Sequence, residues 1–135
     1  MDKEQEIEFA KRIVKEANHS FLNKEDIISN FEENNILVSD SKNIGFVSHI
    51  EYDYINNRGI LTYDGEKSLK EQQKILLLNY CILILNKNNN IKYYYKDIPS
   101  KSSLKRLSRI VVAASVDKEF GGNSFGDIMK EGIKK

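Results

Sequence analysis

The sequence predicts an α+β fold in which a small, mostly antiparallel sheet packs against a buried central helix, with further helices around them. Three observations predict this fold. The first 35 residues place apolar positions three and four apart, which is the helical period. Residues 36–63 are rich in β-branched and aromatic residues and are divided by turn residues. Residues 68–85 form a helix-length segment that is apolar on nearly every side.

Two helices are expected at the start of the chain. The segment Asp2–Ala17 has its apolar residues on one face. Asn23 can cap a second helix over Lys24–Asn34, because its side-chain oxygen can accept a backbone N–H of the first turn. The Asn34–Asn35 pair is then expected to end that helix, since asparagine tolerates the left-handed conformation common at helix ends.

The sheet is expected to begin with a short strand at Ile36–Val38. A second strand-forming run covers Phe46–Ile55, where apolar and polar residues partly alternate. Asn56–Gly59 supplies the turn chemistry of a hairpin, so Ile60–Tyr63 is expected to return antiparallel to the preceding run. The hairpin then leads directly into the apolar helix.

The central helix is expected over Ser68–Leu85, with the sequence SLKEQQKILLLNYCILIL. Ser68 and Glu71 lie three residues apart, which is the spacing of a capping box at a helix N-terminus. After the polar first turns, only Asn79 and the Tyr80 hydroxyl are polar, so the rest of the protein has to cover this helix on all sides. A buried amide without partners costs about 1–3 kcal/mol. Asn79 is therefore expected either to be hydrogen-bonded locally or to serve a function.

The remaining elements complete the expected fold. Ile91–Tyr95 is a short strand and a candidate to join the sheet, and Ser102–Lys118 is an amphipathic helix. The pair Gly121–Gly122 is expected to stop that helix, and Ser124–Lys134 to form a short last one. With no internal repeat, residues 1–135 are expected to form one domain. Its parts are N-terminal helices (1–35), a small sheet (36–66), core helices with a strand (67–120) and a C-terminal helical tail (121–135).

The composition excludes several classes of protein. Lysine and arginine number 21 against 20 aspartates and glutamates, for a net charge of +1, so no direct binding to nucleic acid or to an anionic membrane is expected. The single cysteine, Cys81, excludes a disulfide framework and a multi-cysteine zinc site. The N-terminal segment is charged and amphipathic instead of carrying the apolar core of a signal peptide, so a cytoplasmic location is expected.

Few residues offer chemistry of their own. His19 and His49 lie far apart in the sequence, without cysteine, aspartate or glutamate at metal-ligand spacing, so neither a metal nor a cofactor is expected. Cys81 lies in the apolar helix, where a thiol is more often an inert small hydrophobe than a nucleophile. One or two of three consecutive tyrosines are expected to pack on the core and the rest to offer a contact surface. These are Tyr93, Tyr94 and Tyr95.

Two segments resemble parts of a known protein family. The strand Ile60–Tyr63 followed by Ser68–Lys74 is similar to the strand, connector and active-site helix entry of the ImmA/IrrE family. The segment Ser108–Ala114 is similar to that family's later helix, and the resemblance spans roughly Asp26 to Val116. The family consists of zinc-metallopeptidase-like proteins that often act on phage or mobile-element repressors. The resemblance therefore implies a zincin-like arrangement of the α+β fold.

The chain departs from that family at its chemical positions. The family's active-site helix carries His-Glu-x-x-His, in which the histidines bind zinc and the glutamate activates the metal-bound water. The matching positions here are Asn79, Tyr80 and Leu83, and Ser108 stands about where a third ligand is expected. Leucine cannot bind zinc and asparagine is a poor ligand, so the resemblance implies a degenerate site without metal or general base. The alternative is a small α+β domain whose buried helix follows a Glu-Gln pair by coincidence.

Three functions follow from these observations as hypotheses. The first is a pseudoenzyme, more an interaction domain than an enzyme, that binds another protein. The resemblance implies a transcriptional regulator or phage repressor as this partner. The candidate contacts are the three tyrosines, the loop Asn86–Asn90 and the C-terminal helix. The second is a hydrolase with an unrecognised site, such as His49 with Tyr80 or Asp53. The third is a small self-associating protein whose last helix, Phe125–Ile133, docks on a neighbouring copy.

Overall fold

The computed structural model describes residues 1–98 and 103–120, and it confirms the α+β fold class. The predicted stop at Gly121–Gly122 and the predicted last helix over Ser124–Lys134, with its docking segment Phe125–Ile133, lie outside the described residues. Four helices and four strands follow one another in the described part of the chain. They are α1 (Lys3–Glu16), α2 (Lys24–Glu33), β1 (Ile36–Ser41), β2 (Ser48–Asp53), β3 (Arg58–Asp64), α3 (Leu69–Leu85), β4 (Ile91–Tyr95) and α4 (Ser103–Phe120).

The four strands form one sheet in the order β1-β3-β2-β4. Strands β2 and β3 are the predicted hairpin, and β4 joins the sheet antiparallel to β2. Strand β1 pairs parallel with β3, which the sequence did not predict. The return strand of the hairpin, β3, lies between β1 and β2 and runs in the same direction as β1. The other two pairings are antiparallel, so the sheet is mostly antiparallel as expected.

Helix α3 forms the centre of the molecule. The predicted capping box is present: the Ser68 hydroxyl accepts the Glu71 N–H at 3.2 Å, and the Glu71 carboxylate accepts the Ser68 N–H at 3.4 Å. All residues of Ile75–Leu83 are buried, between the sheet and helices α2 and α4. Other elements thus cover the apolar helix, as its composition requires. None of the described helices is both long and apolar enough to cross a membrane.

Helices α1 and α4 are joined by polar contacts at both ends of their interface. Near one end, the buried carboxylate of Glu6 accepts hydrogen bonds from Arg106 Nε at 2.9 Å and Nη2 at 2.8 Å. These hydrogen bonds raise the pKa of Arg106. At the other end, the Lys118 ammonium group donates to the backbone oxygens of Val14 at 3.0 Å and Ala17 at 3.2 Å. Lys118 thereby satisfies carbonyl groups that the end of α1 leaves without helical partners.

Asparagine shapes several of the turns. Among the residues that the structure describes, four asparagines have positive φ angles, a backbone conformation that asparagine tolerates better than most residues. The pair Asn34–Asn35 ends α2 as predicted, with Asn35 in the left-handed region. The four residues are Asn35 (61°), Asn43 (56°), Asn57 (49°) and Asn88 (78°).

Candidate functional site

The four positions of the predicted degenerate site contact different parts of the molecule. Asn79 contacts β2, whereas Tyr80 contacts α2. Leu83 is buried one turn beyond Asn79, on the same side of α3. Ser108 of α4 contacts Cys81. The structure therefore does not bring Ser108 together with Asn79 and Leu83 around one point.

Asn79 joins the central helix to the sheet. Its Nδ2 group donates to the Ser48 hydroxyl on β2 at 3.0 Å and to the Ile75 backbone oxygen at 2.9 Å. Its Oδ1 atom is buried and has no hydrogen-bond partner among the residues that the structure describes. Asn79 is thus a core amide that is hydrogen-bonded locally through its nitrogen alone.

Tyr80 is enclosed by aromatic rings. The Phe21 and Phe31 rings meet it edge-on, with ring centroids 5.0 Å and 5.1 Å away. Its hydroxyl accepts a hydrogen bond from Asn34 Nδ2 at 3.3 Å. Burial raises the pKa of Tyr80 to about 12. The phenol is therefore protonated near neutral pH and cannot act as a general base there.

Cys81 and Ser108 form a small buried contact between α3 and α4. The Cys81 sulfur lies 3.8 Å from the Ser108 hydroxyl, which donates to the Leu104 backbone oxygen at 2.8 Å. Burial raises the pKa of the Cys81 thiol to about 12. A buried thiol with a raised pKa is a poor nucleophile, which agrees with the interpretation of Cys81 as a small hydrophobe.

His49 lies on the side of the sheet away from α3. Its Nε2 atom is 3.4 Å from Glu51 Oε1, and its ring lies beside those of Phe46 and Tyr94. Asp53 is four residues farther along the same strand, about 13 Å away at the usual strand rise. Tyr80 is buried between α3 and α2. The structure therefore brings together neither of the two pairs that the hydrolase hypothesis names.

One side of the sheet remains uncovered by the described helices. Residues that alternate with core positions on the strands are exposed there, including Leu37 (64%), Ile60 (43%) and Tyr94 (57%). We call this surface the open sheet face. It consists of Leu37, Ser39, Phe46, His49, Glu51, Ile60, Thr62, Lys92 and Tyr94.

The strand register arranges the open sheet face into two rows. One row crosses from Leu37 and Ile60 to Glu51 and Lys92, and its last two residues form an ion pair at 3.6 Å. The second row contains an aromatic cluster in which the Phe46 and Tyr94 centroids are 5.2 Å apart. The face thus carries an apolar pair, Leu37 and Ile60, beside the polar Ser39 and Thr62 on the side of β1 and β3, and it is aromatic and charge-balanced on the side of β2 and β4.

The three consecutive tyrosines divide between the two sides of the sheet. Tyr94 lies on the open sheet face, whereas Tyr93 and Tyr95 alternate to the opposite side. Tyr95 packs against the core, and its burial raises its pKa. Tyr93 is 43% exposed at the edge of the sheet. Packing of one of the three tyrosines on the core agrees with the expectation from the sequence.

A shallow cleft adjoins the open sheet face at the hairpin end of the sheet. Its volume is about 490 Å³, and its charged lining residues are Glu51, Asp53, Arg58 and Lys92. Hydrogen bonds from Asn56 lower the pKa of Asp53, so the Asp53 carboxylate is ionised near neutral pH. Two anions and two cations favour neither an anionic nor a cationic ligand. Within residues 1–98 and 103–120, no group of three histidine, cysteine or acidic residues is placed to hold a metal ion.

Comparison of the chain with protein-family models, with curated proteins and with solved structures finds no match. The resemblance to the ImmA/IrrE family therefore stays a prediction from the sequence, and the function has to be argued from the surfaces of the molecule.

Sequence reasoning missed the apolar pair of the open sheet face. Leu37 and Ile60 are neighbours across β1 and β3, although they are far apart in the sequence. Leu37 alternates with Ile36 and Val38, and Ile60 alternates with Leu61. Strict period-two alternation could have assigned these residues to the outer side of the sheet. Their pairing could not be found in this way, because it depends on the parallel contact between β1 and β3.

Proposed function

We propose that this chain is a non-catalytic, protein-binding domain whose contact surface is the open sheet face. The exposure of Leu37, Ile60 and Tyr94 on one continuous side of the sheet carries the proposal. Single exposed apolar residues are common, but a contiguous apolar patch is characteristic of interaction sites. Aromatic side chains are also enriched at protein interfaces, and Phe46 and Tyr94 supply them here.

The charge and the size of the open sheet face favour an amphipathic helix of a partner protein. Its one acid, Glu51, lies between His49 and Lys92 and is close to both, so the face lacks the excess of cations that phosphate groups require. Four strands span about 19 Å at the usual strand spacing, and a helix of that length has about 13 residues. Apolar residues at one end of such a helix would cover Leu37 and Ile60, and polar residues towards its other end would meet the Glu51–Lys92 pair.

The buried groups support a role without catalysis. Tyr80 and Cys81 are the titratable groups of α3 with the largest upward pKa shifts, and both are held protonated by burial. Chemistry at neutral pH would need a group whose pKa lies near the working pH. The sequence resemblance alone supports a transcriptional regulator or phage repressor as the partner, and the name pseudoenzyme for the domain.

Site-specific cross-linking followed by reconstitution tests the proposal. A photo-reactive amino acid at Thr62, in the middle of the open sheet face, should cross-link a partner in the source cells, whereas one at Lys74 on α3 should not. The identified partner is then purified, and its affinity is measured by calorimetry. Ile60→Glu should weaken binding at least tenfold. Leu69→Glu, at a comparably exposed residue on α3, is the matched control and should leave the affinity unchanged.

Two outcomes would overturn the proposal. Equal cross-linking at Thr62 and Lys74, or binding that is insensitive to Ile60→Glu, would show that the open sheet face is not the contact surface. Hydrolysis of peptides or esters that His49→Ala abolishes would show that the domain is an enzyme, and stoichiometric zinc in the purified protein would contradict a degenerate site without metal.

A further inference from the structure

Strand β4 forms one edge of the sheet and pairs on one side only, with β2, among the described residues. The Tyr95 carbonyl faces β2, because it accepts the Val47 N–H at 2.8 Å. In an antiparallel ladder, every second residue directs both of its backbone groups to the same side. Tyr93 therefore also faces β2, whereas Lys92 and Tyr94 direct their N–H and C=O groups to the free edge.

We propose that β4 is a self-association edge, at which two copies of this chain pair antiparallel about a twofold axis through Tyr93. In this register Lys92 and the partner's Tyr94 exchange two backbone hydrogen bonds. By symmetry, Tyr94 and the partner's Lys92 exchange two more. These are the residues whose backbone groups point outward. The pairing joins two four-stranded sheets into one continuous sheet with β4 of each copy at its centre.

The side chains of β4 complement each other in this register. On one side of the sheet, Lys92 stands opposite the partner's Tyr94, which is a cation–π arrangement. On the other side, Tyr93 meets the partner's Tyr93 as an aromatic pair, and Ile91 stands opposite the partner's Tyr95. Each cross-strand pair thus joins an aromatic ring to a cation, to an aliphatic side chain or to another ring.

The neighbouring registers are disfavoured by charge. The outward backbone groups would also allow pairing about Lys92 or about Tyr94. The first places Lys92 opposite the partner's Lys92, and the second places it opposite the partner's Lys96. Like charges directly opposite each other destabilise a sheet. Of these three axes, only the one through Tyr93 avoids a lysine pair, so charge favours it over its two neighbours.

The opposite edge of the sheet is less suited to the same pairing. Strand β1 contacts α2, and its exposed Asp40 is one of the residues whose backbone groups point away from β3. Pairing of β1 about its centre would also place Asp40 opposite the apolar Ile36 of the second copy.

The proposed pairing is small, because it involves two strands of five residues each. Interfaces below about 1,200 Å² belong to the weak, transient class, so self-association is expected only at high protein concentration. The inference does not depend on the proposed function. Lys92 and Tyr94 belong to both surfaces, but the open sheet face is formed by their side chains and the β4 edge by their backbone groups. Pairing would place two open sheet faces side by side.

Sedimentation equilibrium tests the self-association. From about 10 µM to about 1 mM protein, the average mass should rise from 15.6 kDa towards twice that value. Tyr94→Pro removes one outward N–H without breaking the ladder to β2, since proline is tolerated on edge strands. This variant should associate at least tenfold more weakly. Tyr94→Phe keeps the backbone and the ring, and it should associate like the wild type.

Disulfide cross-linking tests the register. Tyr93 and the partner's Tyr93 would form a non-hydrogen-bonded pair on the twofold axis. The Cα atoms of such a pair are about 4.5 Å apart, a distance that a disulfide can bridge. Under mild oxidation, Tyr93→Cys should cross-link at least tenfold faster than Leu37→Cys, an exposed position on the opposite edge strand. The native Cys81 is buried and does not compete. Equal rates for the two variants, or a mass of 15.6 kDa at every concentration, would overturn the proposal.

Discussion

Replacing Asn79 together with Ser48 by apolar residues should stabilise the protein. In the native core, the Asn79 Oδ1 atom is buried without a partner, and such a group costs about 1–3 kcal/mol. The hydrogen bond from Asn79 Nδ2 to Ser48 Oγ contributes about 1 kcal/mol in the other direction. Leucine has nearly the shape of asparagine, and alanine lacks only the serine hydroxyl. The Asn79→Leu/Ser48→Ala variant should therefore gain up to about 2 kcal/mol in its free energy of unfolding.

The changes in the free energy of unfolding of the two single variants should not sum to that of the double variant. Ser48→Ala removes an acceptor from Asn79 and should destabilise the protein by about 1 kcal/mol. Asn79→Leu removes the unpaired oxygen, but it leaves the buried Ser48 hydroxyl without its donor, so the two effects nearly cancel. Contacting residues commonly show such coupling, and a double-mutant cycle measures it directly.

Urea unfolding followed by circular dichroism provides the measurement, with the slope m held equal among variants. Gln72→Leu is the matched control, because Gln72 also has a buried, unpaired side-chain oxygen. Its Nε2 group, however, donates to the backbone oxygens of Gly65 and Lys67, so this variant should lose stability. A double variant at Asn79 and Ser48 that is more than about 1 kcal/mol less stable than the wild type would refute the reasoning.

Three further predictions follow from the core. Gly59→Ala should destabilise the protein by about 3 kcal/mol in the same unfolding assay, because a Cβ atom there would lie 2.3 Å from the Glu51 carbonyl oxygen; unchanged stability would contradict this geometry. Tyr80→Phe should cost less than about 1 kcal/mol, since the hydroxyl accepts only one long hydrogen bond from Asn34, and a larger loss would indicate a further partner. Burial raises the pKa of the Cys81 thiol from 9.0 to about 12, so the unfolded chain releases this proton at a lower pH than the folded protein does. The free energy of unfolding should therefore fall as the pH rises from about 9 towards 12, by up to about 1.4 kcal/mol per pH unit. Cys81→Ala should weaken that pH dependence, and an unaltered dependence would assign it to other groups.

The sequence predicted best the features that depend on residues close together in the chain. The capping box of Ser68 and Glu71, the cap at Asn23 and the turn at Asn34–Asn35 all lie within four residues of their partners. The burial of α3 was predictable for a different reason. A helix that is apolar on all sides can be stable in water only if other elements cover it.

Features that depend on contacts between distant segments were not predictable. The parallel pairing of β1 with β3 requires the hairpin to fold back beside β1, and no local pattern states on which side it folds. Strand β1 extends to Ser41, beyond the predicted Val38, because its polar residues pair with β3. The direction of Asn79 towards Ser48 depends on how α3 packs against the sheet.

The packing of α3 also bears on the hypothesis that Asn79, Leu83 and Ser108 stand at the positions of former metal ligands. Cys81 lies two residues from both Asn79 and Leu83, so it is about 160° away from both around the helix axis. Ser108 contacts Cys81, whereas Asn79 faces β2 on the other side of the helix. Histidines at positions 79 and 83 and a ligand at 108 would therefore not converge on one metal ion in this packing. If α3 derives from an active-site helix, both its ligands and its contacts with the later helix have changed. The surfaces left for function are then the open sheet face and the β4 edge.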